Sequence, residues 1–93
     1  MSDYYPKKWK EIHTKAALAK TSDQKAEYYR YLHDFSTIFP CGSCRAHFKM
    51  YLNTNPPEES PDPFVWSWEF HNHVNARLGK RPMDLFTAQE LYR

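Results

Sequence analysis

Apolar residues recur every three to four positions along most of the chain, and no stretch alternates polar and apolar as a half-buried strand would. The spacing predicts a first helix carrying Trp9, Ile12, His13, Ala16, Ala17 and Leu18, with Pro6 in its opening turn, where a missing N–H is harmless. Thr21-Ser22-Asp23-Gln24 has the capping-box pattern and starts an aromatic helix through Tyr28, Leu32, Phe35 and Phe39, which Pro40 ends. A third helix starts at Cys41 or Gly42, runs through His47, Phe48, Tyr51 and Leu52, and stops before Pro56-Pro57. Residues 53–61, rich in proline and acid, form the one clear loop. Asp62-Pro63 pairs an N-cap with a first-turn proline and opens a fourth helix reaching Leu78, with Gly79 as a left-handed C-cap. Thr87 with Glu90 forms another capping box, starting a last helix through Leu91 and Tyr92. The expectation is all-α: a four-helix bundle with a short fifth C-terminal helix, one domain over residues 1–93, with no internal repeat.

Size sharpens this picture. A chain of 93 residues buries only about 60–65% of the surface it exposes when unfolded. One Cys-x-x-Cys bridge would close too short a loop to add much stability. A bound cofactor or a dimer interface is therefore an attractive source of the remainder. Aromatic residues make up 17% of an otherwise polar chain, and flat rings suit a flat cofactor. The net charge of +2, with Lys and Arg interspersed among acids, argues against a nucleic-acid partner. No apolar run approaches the roughly 20 residues of a membrane span. Met1-Ser2-Asp3-Tyr4-Tyr5-Pro6 lacks the apolar centre of a signal peptide, which argues against secretion. Two cysteines in that setting favour a catalytic or metal-binding pair over a disulfide framework.

That pair is Cys41-Gly42-Ser43-Cys44, at a helix start. Unpaired N–H groups and the positive dipole end stabilise a thiolate there, and such pairs reach pKa values of about 3.5–7.5. Gly42 and Ser43 are small and leave the first sulfur open. Zinc competes as a reading, with Cys41, Cys44 and His47 as ligands and His71 or His73 as the fourth. Against it, His71 and His73 are two apart and point to different helix faces. Thioredoxin-like chemistry is disfavoured because no strand precedes Pro40. In the fourth helix His71, Asn75 and Leu78 line one side, flanked by Asn72 and Trp68. An imidazole and two carboxamides on a mostly buried stripe require polar partners, either one another or a polar ligand. Trp9 and His13, four apart, share a face in the same either-or position.

The order of these motifs is what narrows the choice. Trp9-x-x-Ile12-His13 is followed by Phe35-x-x-Ile38-Phe39-Pro40-Cys41-x-x-Cys44, then Phe48-x-x-Tyr51-Leu52. Trp66-x4-His71-Asn72-x-Val74-Asn75-x-x-Leu78-x-Lys80 completes the series. In this order and spacing they resemble the Erv/ALR family of FAD-dependent sulfhydryl oxidases, and the likeness covers most of the chain. The resemblance implies a flavin-linked enzyme with FAD bound at the bundle mouth and no metal. Cys41 and Cys44 would be the active-site disulfide, Cys44 beside the flavin and Cys41 the sulfur that substrate thiolates attack. Trp9, His13, His71, Asn72, Asn75 and Lys80 match positions that contact FAD, and Tyr51 and Val74 match positions near the flavin. Where family members often carry an arginine before the first tryptophan, this chain has Pro6-Lys7-Lys8, so Lys7 is the expected replacement. The implied partners are a dithiol protein substrate, molecular oxygen as acceptor (leaving as hydrogen peroxide) and a second copy in a homodimer, with neither nucleic acid nor membrane.

The chain also departs from the family. A shuttle Cys-x-x-Cys is missing, as is a second structural cysteine pair whose first member would fall near Trp68. This stripped form resembles the minimal oxidases of large DNA viruses, which implies host cytoplasm or virion; the mitochondrial intermembrane space is the alternative. A zinc-stabilised or inactive helical interaction module stands as the rival reading.

Overall fold

Local capping sets most of the helix boundaries. The computed structural model describes residues 4–93, Tyr4 through its backbone alone, so the signal-peptide reading of Met1-Ser2-Asp3 lies outside the described residues. Helix α1 spans Tyr4–Leu18, α2 Ser22–Ile38, α3 Gly42–Thr54, α4 Pro63–Arg77 and α5 Leu85–Tyr92. No strand occurs among the described residues. The capping box before α2 forms: Gln24 N–H donates to Thr21 Oγ1 at 3.1 Å and Thr21 N–H donates to Gln24 Oε1 at 2.9 Å. Asp62 caps α4 by accepting from Phe64 N–H at 2.9 Å.

At the far end of α4, Gly79 adopts φ +72°. Lys80 N–H reaches Asn75 O at 2.7 Å and Gly79 N–H reaches Ala76 O at 3.2 Å, the paired bonds of a Schellman stop. The helix proper ends at Arg77, one residue short of expectation, because Leu78 is the cap.

Two expectations need correction. The stretch 53–61 is not all loop: α3 continues to Thr54, and Pro57–Glu59 form a 3₁₀ turn. Pro57 is buried there, so the prolines shape a packed corner. The last helix is capped not by Thr87 but by Asp84, whose Oδ1 accepts from Thr87 N–H at 2.7 Å. Starting at Leu85 places Leu85, Ala88 and Tyr92 on the inward face, so burial of that stripe decides the register.

Helix α1 packs chiefly along α4 and α2 along α3, while α5 lies across α1 and α4. The shared core is built from Ile12, Tyr28, Leu32, Phe48, Phe64 and Phe70, with Ala88 closing it from α5. Buried polar ends of the aromatics are satisfied: Tyr28 Oη donates to Ile12 O at 3.0 Å and Trp66 Nε1 to Asn55 O at 2.8 Å. The α4–α5 connection is pinned by three bonds to one residue. Asn72 Nδ2 and Trp68 Nε1 both donate to Met83 O, and Met83 N–H donates to Asn72 Oδ1, all within 2.8 Å.

Candidate active site

Cys41 is the N-cap of α3, a position that gives its side chain access to unpaired backbone donors. Its Sγ accepts from Cys44 N–H at 3.3 Å and lies 3.2 Å from Ser43 Oγ. Hydrogen bonding from the Cys44 thiol first, the Ser43 hydroxyl second and the Cys44 N–H third lowers its pKa to about 7. Cys44, one turn into the helix, is shifted the other way, by burial first and by the neighbouring Cys41 second; Arg77 partly opposes the rise. Both thiols are free and half-buried. The reduced pair therefore holds its negative charge on Cys41 and its proton on Cys44.

Cys44 stands in the wall of a cavity of about 520 Å³, and Cys41 does not. That volume falls in the range of about 300–1,000 Å³ typical of small-molecule sites. The cavity lies between the α1–α4 and α2–α3 pairs. Its flat walls come from Trp9, Phe39, Phe48, Phe70 and His71. Trp9 and His71 stack face to face, with ring centroids 3.8 Å apart and planes 5° from parallel. Lys8, Arg77 and Lys80 bring positive charge to the lining.

Behind this wall lies a buried polar chain. His13, fully buried, has Nδ1 2.9 Å from Ser67 Oγ and Nε2 2.8 Å from His71 Nδ1. Burial, then the facing His71, lowers the His13 pKa to about 3; burial, then Lys80, lowers that of His71 to about 4. Both rings are neutral near pH 7. Asn75 is also buried and lines the cavity, yet its carboxamide has no hydrogen-bond partner among the described residues. Among the described residues no fully buried side-chain nitrogen or oxygen is left unsatisfied, so the Asn75 polar atoms open into the cavity.

Of the expected residues, the structure brings Cys44, Trp9, His71, Val74, Asn75 and Lys80 to one cavity. His13 stands one layer behind, holding His71. Asn72 lies outside the wall, with its carboxamide engaged by Met83. Tyr51 is packed against Trp66, Phe70 and His73 instead of lining the cavity. Lys7 is exposed away from it, and Lys8 supplies the α1 cation. Sequence reasoning missed Lys8, Phe70, Arg77 and Tyr92. Phe70 and Val74 share an α4 stripe beside His71 and Asn75, so helical periodicity carried a signal for Phe70. Tyr92 had none, because its stacking on His13 joins opposite ends of the chain. Among the described residues, no three His, Cys, Asp or Glu side chains gather as metal ligands would.

A redox-competent dithiol opening onto a flat-walled, cation-rimmed cavity in a small helical bundle defines the class as a helical dithiol protein built around a planar ligand. A model of the Erv1 / Alr family matches residues 6–93, and the chain belongs to that family. It is 32% identical to the FAD-linked sulfhydryl oxidase of African swine fever virus, over 99% of this chain and 82% of the viral one. It is 37% identical to the mitochondrial FAD-linked sulfhydryl oxidase ERV1 of Saccharomyces cerevisiae, over 82% of this chain and 43% of the yeast protein. Among solved structures, the yeast Erv1 core superposes with TM-score 0.83 at 32% identity, covering 95% of this chain and 79% of that one. The FAD-binding domain of yeast Erv1 gives 0.81 at 30% identity, with coverage of 94% and 88%.

Proposed function

We propose that the protein is a FAD-dependent thiol oxidase, one domain over residues 1–93, that makes disulfides in protein substrates at Cys41–Cys44. The net reaction joins two substrate thiols, RSH and R′SH, with O₂ to give RS–SR′ and H₂O₂. The observation that carries this reading is Cys44 standing in the wall of the cavity while Cys41 stays outside it.

The position of Cys41 outside the cavity supports it as the point of entry. A substrate thiolate attacks Cys41 Sγ of the enzyme disulfide, an S–S bond to substrate forms, and Cys44 leaves as a thiolate. Arg77, whose guanidinium draws the Cys44 pKa down, opposes the cost of that charge in a half-buried place. A second substrate thiolate then attacks the substrate sulfur, and Cys41 leaves. The Ser43 hydroxyl and the Cys44 N–H, which lower the Cys41 pKa, help it leave as a thiolate. Held in the cavity beside Cys44, FAD would supply the two-electron redox chemistry that links the reduced pair to oxygen.

The residues present suit that cofactor. Trp9 and His71 supply a parallel stacked wall, the unpaired Asn75 carboxamide offers both a donor and an acceptor, and Lys8 and Lys80 suit a pyrophosphate. His13 orders His71 from behind, while Asn72 and Tyr51 shape the site from its margin.

Cys44→Ser should keep the protein yellow and abolish peroxide formation with dithiothreitol. Equal turnover in that variant rejects the assignment. A colourless protein carrying zinc would establish the rival module instead.

Pairing into a homodimer through the first helices is part of the proposal. Leu18 and Ile38, each 72% exposed, give α1 and α2 apolar surface for it, and sedimentation velocity tests it. No helix among the described residues is long and apolar enough to cross a membrane. Neither membrane nor nucleic acid is proposed as a partner. For location we propose host cytoplasm or virion if the source is viral, and the mitochondrial intermembrane space otherwise; relatives from a virus and from mitochondria support these two settings.

A further inference from the structure

The buried Ser67–His13–His71 chain has a direction that follows from its hydrogen-bond partners. Ser67 Oγ lies 2.7 Å from Phe64 O. Two oxygens that close need a proton between them, and a carbonyl has none to give, so the Ser67 hydroxyl donates to Phe64 O. Its Oγ then accepts from His13 Nδ1–H across 2.9 Å. A neutral imidazole carries one N–H, so His13 Nε2 is bare and accepts from His71 Nδ1–H across 2.8 Å. The same rule leaves His71 Nε2 without a proton. That atom has no hydrogen-bond partner among the described residues, and since no buried side-chain nitrogen is unsatisfied, it is open on the cavity wall.

The two rings are held in this arrangement by stacking. Trp9 covers His71 at 3.8 Å, and Tyr92 covers His13 at 4.4 Å with planes 23° apart. Ser67 and His13 are both fully buried, so neither side chain is exposed to bulk water.

We infer that Ser67, acting through His13, is a positioning residue that makes His71 a hydrogen-bond acceptor, so that its part of the cavity receives a ligand hydroxyl or amino N–H. A phosphate or carbonyl oxygen is disfavoured there, because two acceptors would face each other in a partly desolvated site. This rests on the flavin reading for the ligand's identity, whereas the proton order stands on this chain alone. The cavity is thereby divided: acceptor chemistry at His71, cations at Lys8 and Lys80, and the mixed carboxamide of Asn75.

The test reads proton positions directly. Long-range proton–nitrogen NMR of histidine-labelled protein near neutral pH, before and after adding FAD, should show His13 and His71 both protonated at Nδ1 and bare at Nε2. On FAD addition the His71 Nε2 resonance should move as an accepting nitrogen does, without gaining a proton. A protonated Nε2 on His71 in the ligand-free protein overturns the inference and leaves flavin binding untouched. Protein that takes up no FAD but holds both expected tautomers supports the proton order and sinks the function proposed above.

Ser67→Ala removes the acceptor for His13 Nδ1–H and should reverse both rings, giving His71 an Nε2–H. Apo-protein titrated with FAD should then bind about tenfold more weakly, the scale of one mismatched hydrogen bond. Wild-type tautomers in a folded Ser67→Ala variant also overturn the inference. A variant that does not fold leaves the decision to the wild-type spectrum, which settles it alone.

Discussion

Two cysteines three positions apart carry opposite shifts, because Cys41 is hydrogen-bonded by the side chains of Cys44 and Ser43 while Cys44 is buried. In the reduced protein Cys41 should react with iodoacetamide at a rate that rises with pH to a midpoint near 7. An ordinary thiol rises near 8.5, about 1.5 units higher. Ser43→Ala should move the midpoint upward, since Ser43 is the second of the contacts that lower it; an unchanged midpoint would remove Ser43 from the account. The histidine pair makes a second residue-scale prediction. Their folded pKa values lie below the unfolded value of about 6.5, so the unfolded chain binds more protons in acid. The stability they contribute is complete above about pH 6.5 and is lost as pH falls toward their folded values. Near pH 5 one such histidine costs about 2 kcal/mol, taking about 1.4 kcal/mol per pKa unit. Melting temperature should therefore drop between pH 7 and 5, and His13→Gln should flatten that drop even if it lowers the whole curve. At this scale the sequence disclosed residue types and helix faces. It did not disclose which of two adjacent lysines turns inward, since the choice between Lys7 and Lys8 follows from how α1 is rotated against its neighbours.

At the scale of the elements, the two glycines invite opposite expectations. Gly79 has φ +72° and open space where a Cβ would go, so its requirement is purely conformational. Gly79→Ala should destabilise by about 1–2 kcal/mol, the cost of a left-handed alanine. Gly42 has no positive φ, and a Cβ there would meet Arg45 Nη2 at 3.6 Å, an ordinary contact. Gly42→Ala should be neutral or stabilising by about 0.4–1 kcal/mol, through the narrower unfolded ensemble. Thermal melts of the two variants check both, and equal losses would show that position 42 has a demand the backbone does not reveal. The caps at Thr21, Asp62 and Gly79 were legible because each is decided within a few residues. The start of α5 was not, because two caps compete there and burial of Leu85 and Ala88 against other helices chooses Asp84. Trp68, in the region where the resemblance leads us to expect a cysteine, joins Asn72 in holding Met83 by hydrogen bonds. The α4–α5 connection is thus fixed without a covalent link.

Over the whole molecule, the site is a product of convergence that no single segment encodes. Trp9 comes from α1, Cys44 from α3, His71 and Asn75 from α4, and Tyr92 reaches His13 from α5. Motif order named most of these residues, yet their meeting at one cavity follows from helix packing alone. That packing leaves an unfilled seam. The cysteine-bearing α3 packs chiefly on α2, whereas α4 packs chiefly on α1. The two pairs approach each other near the site through aromatic contacts such as Phe48–Phe70, at 4.6 Å between centroids. A planar ligand in the cavity would touch both pairs and complete the core between them. Any ligand bound only by the folded state adds about 2.7 kcal/mol when present at 100 times its dissociation constant. For a domain of this size each kcal/mol shifts the melting temperature by about 4–8 °C, so apo-protein should melt roughly 10–20 °C below the FAD-saturated form. Hydrogen exchange should localise the gain to α3 and α4, the helices that face each other across the seam. Identical melting with and without FAD, or protection gained only in α2, would show that the bundle closes without its ligand and that the cavity is not the flavin site.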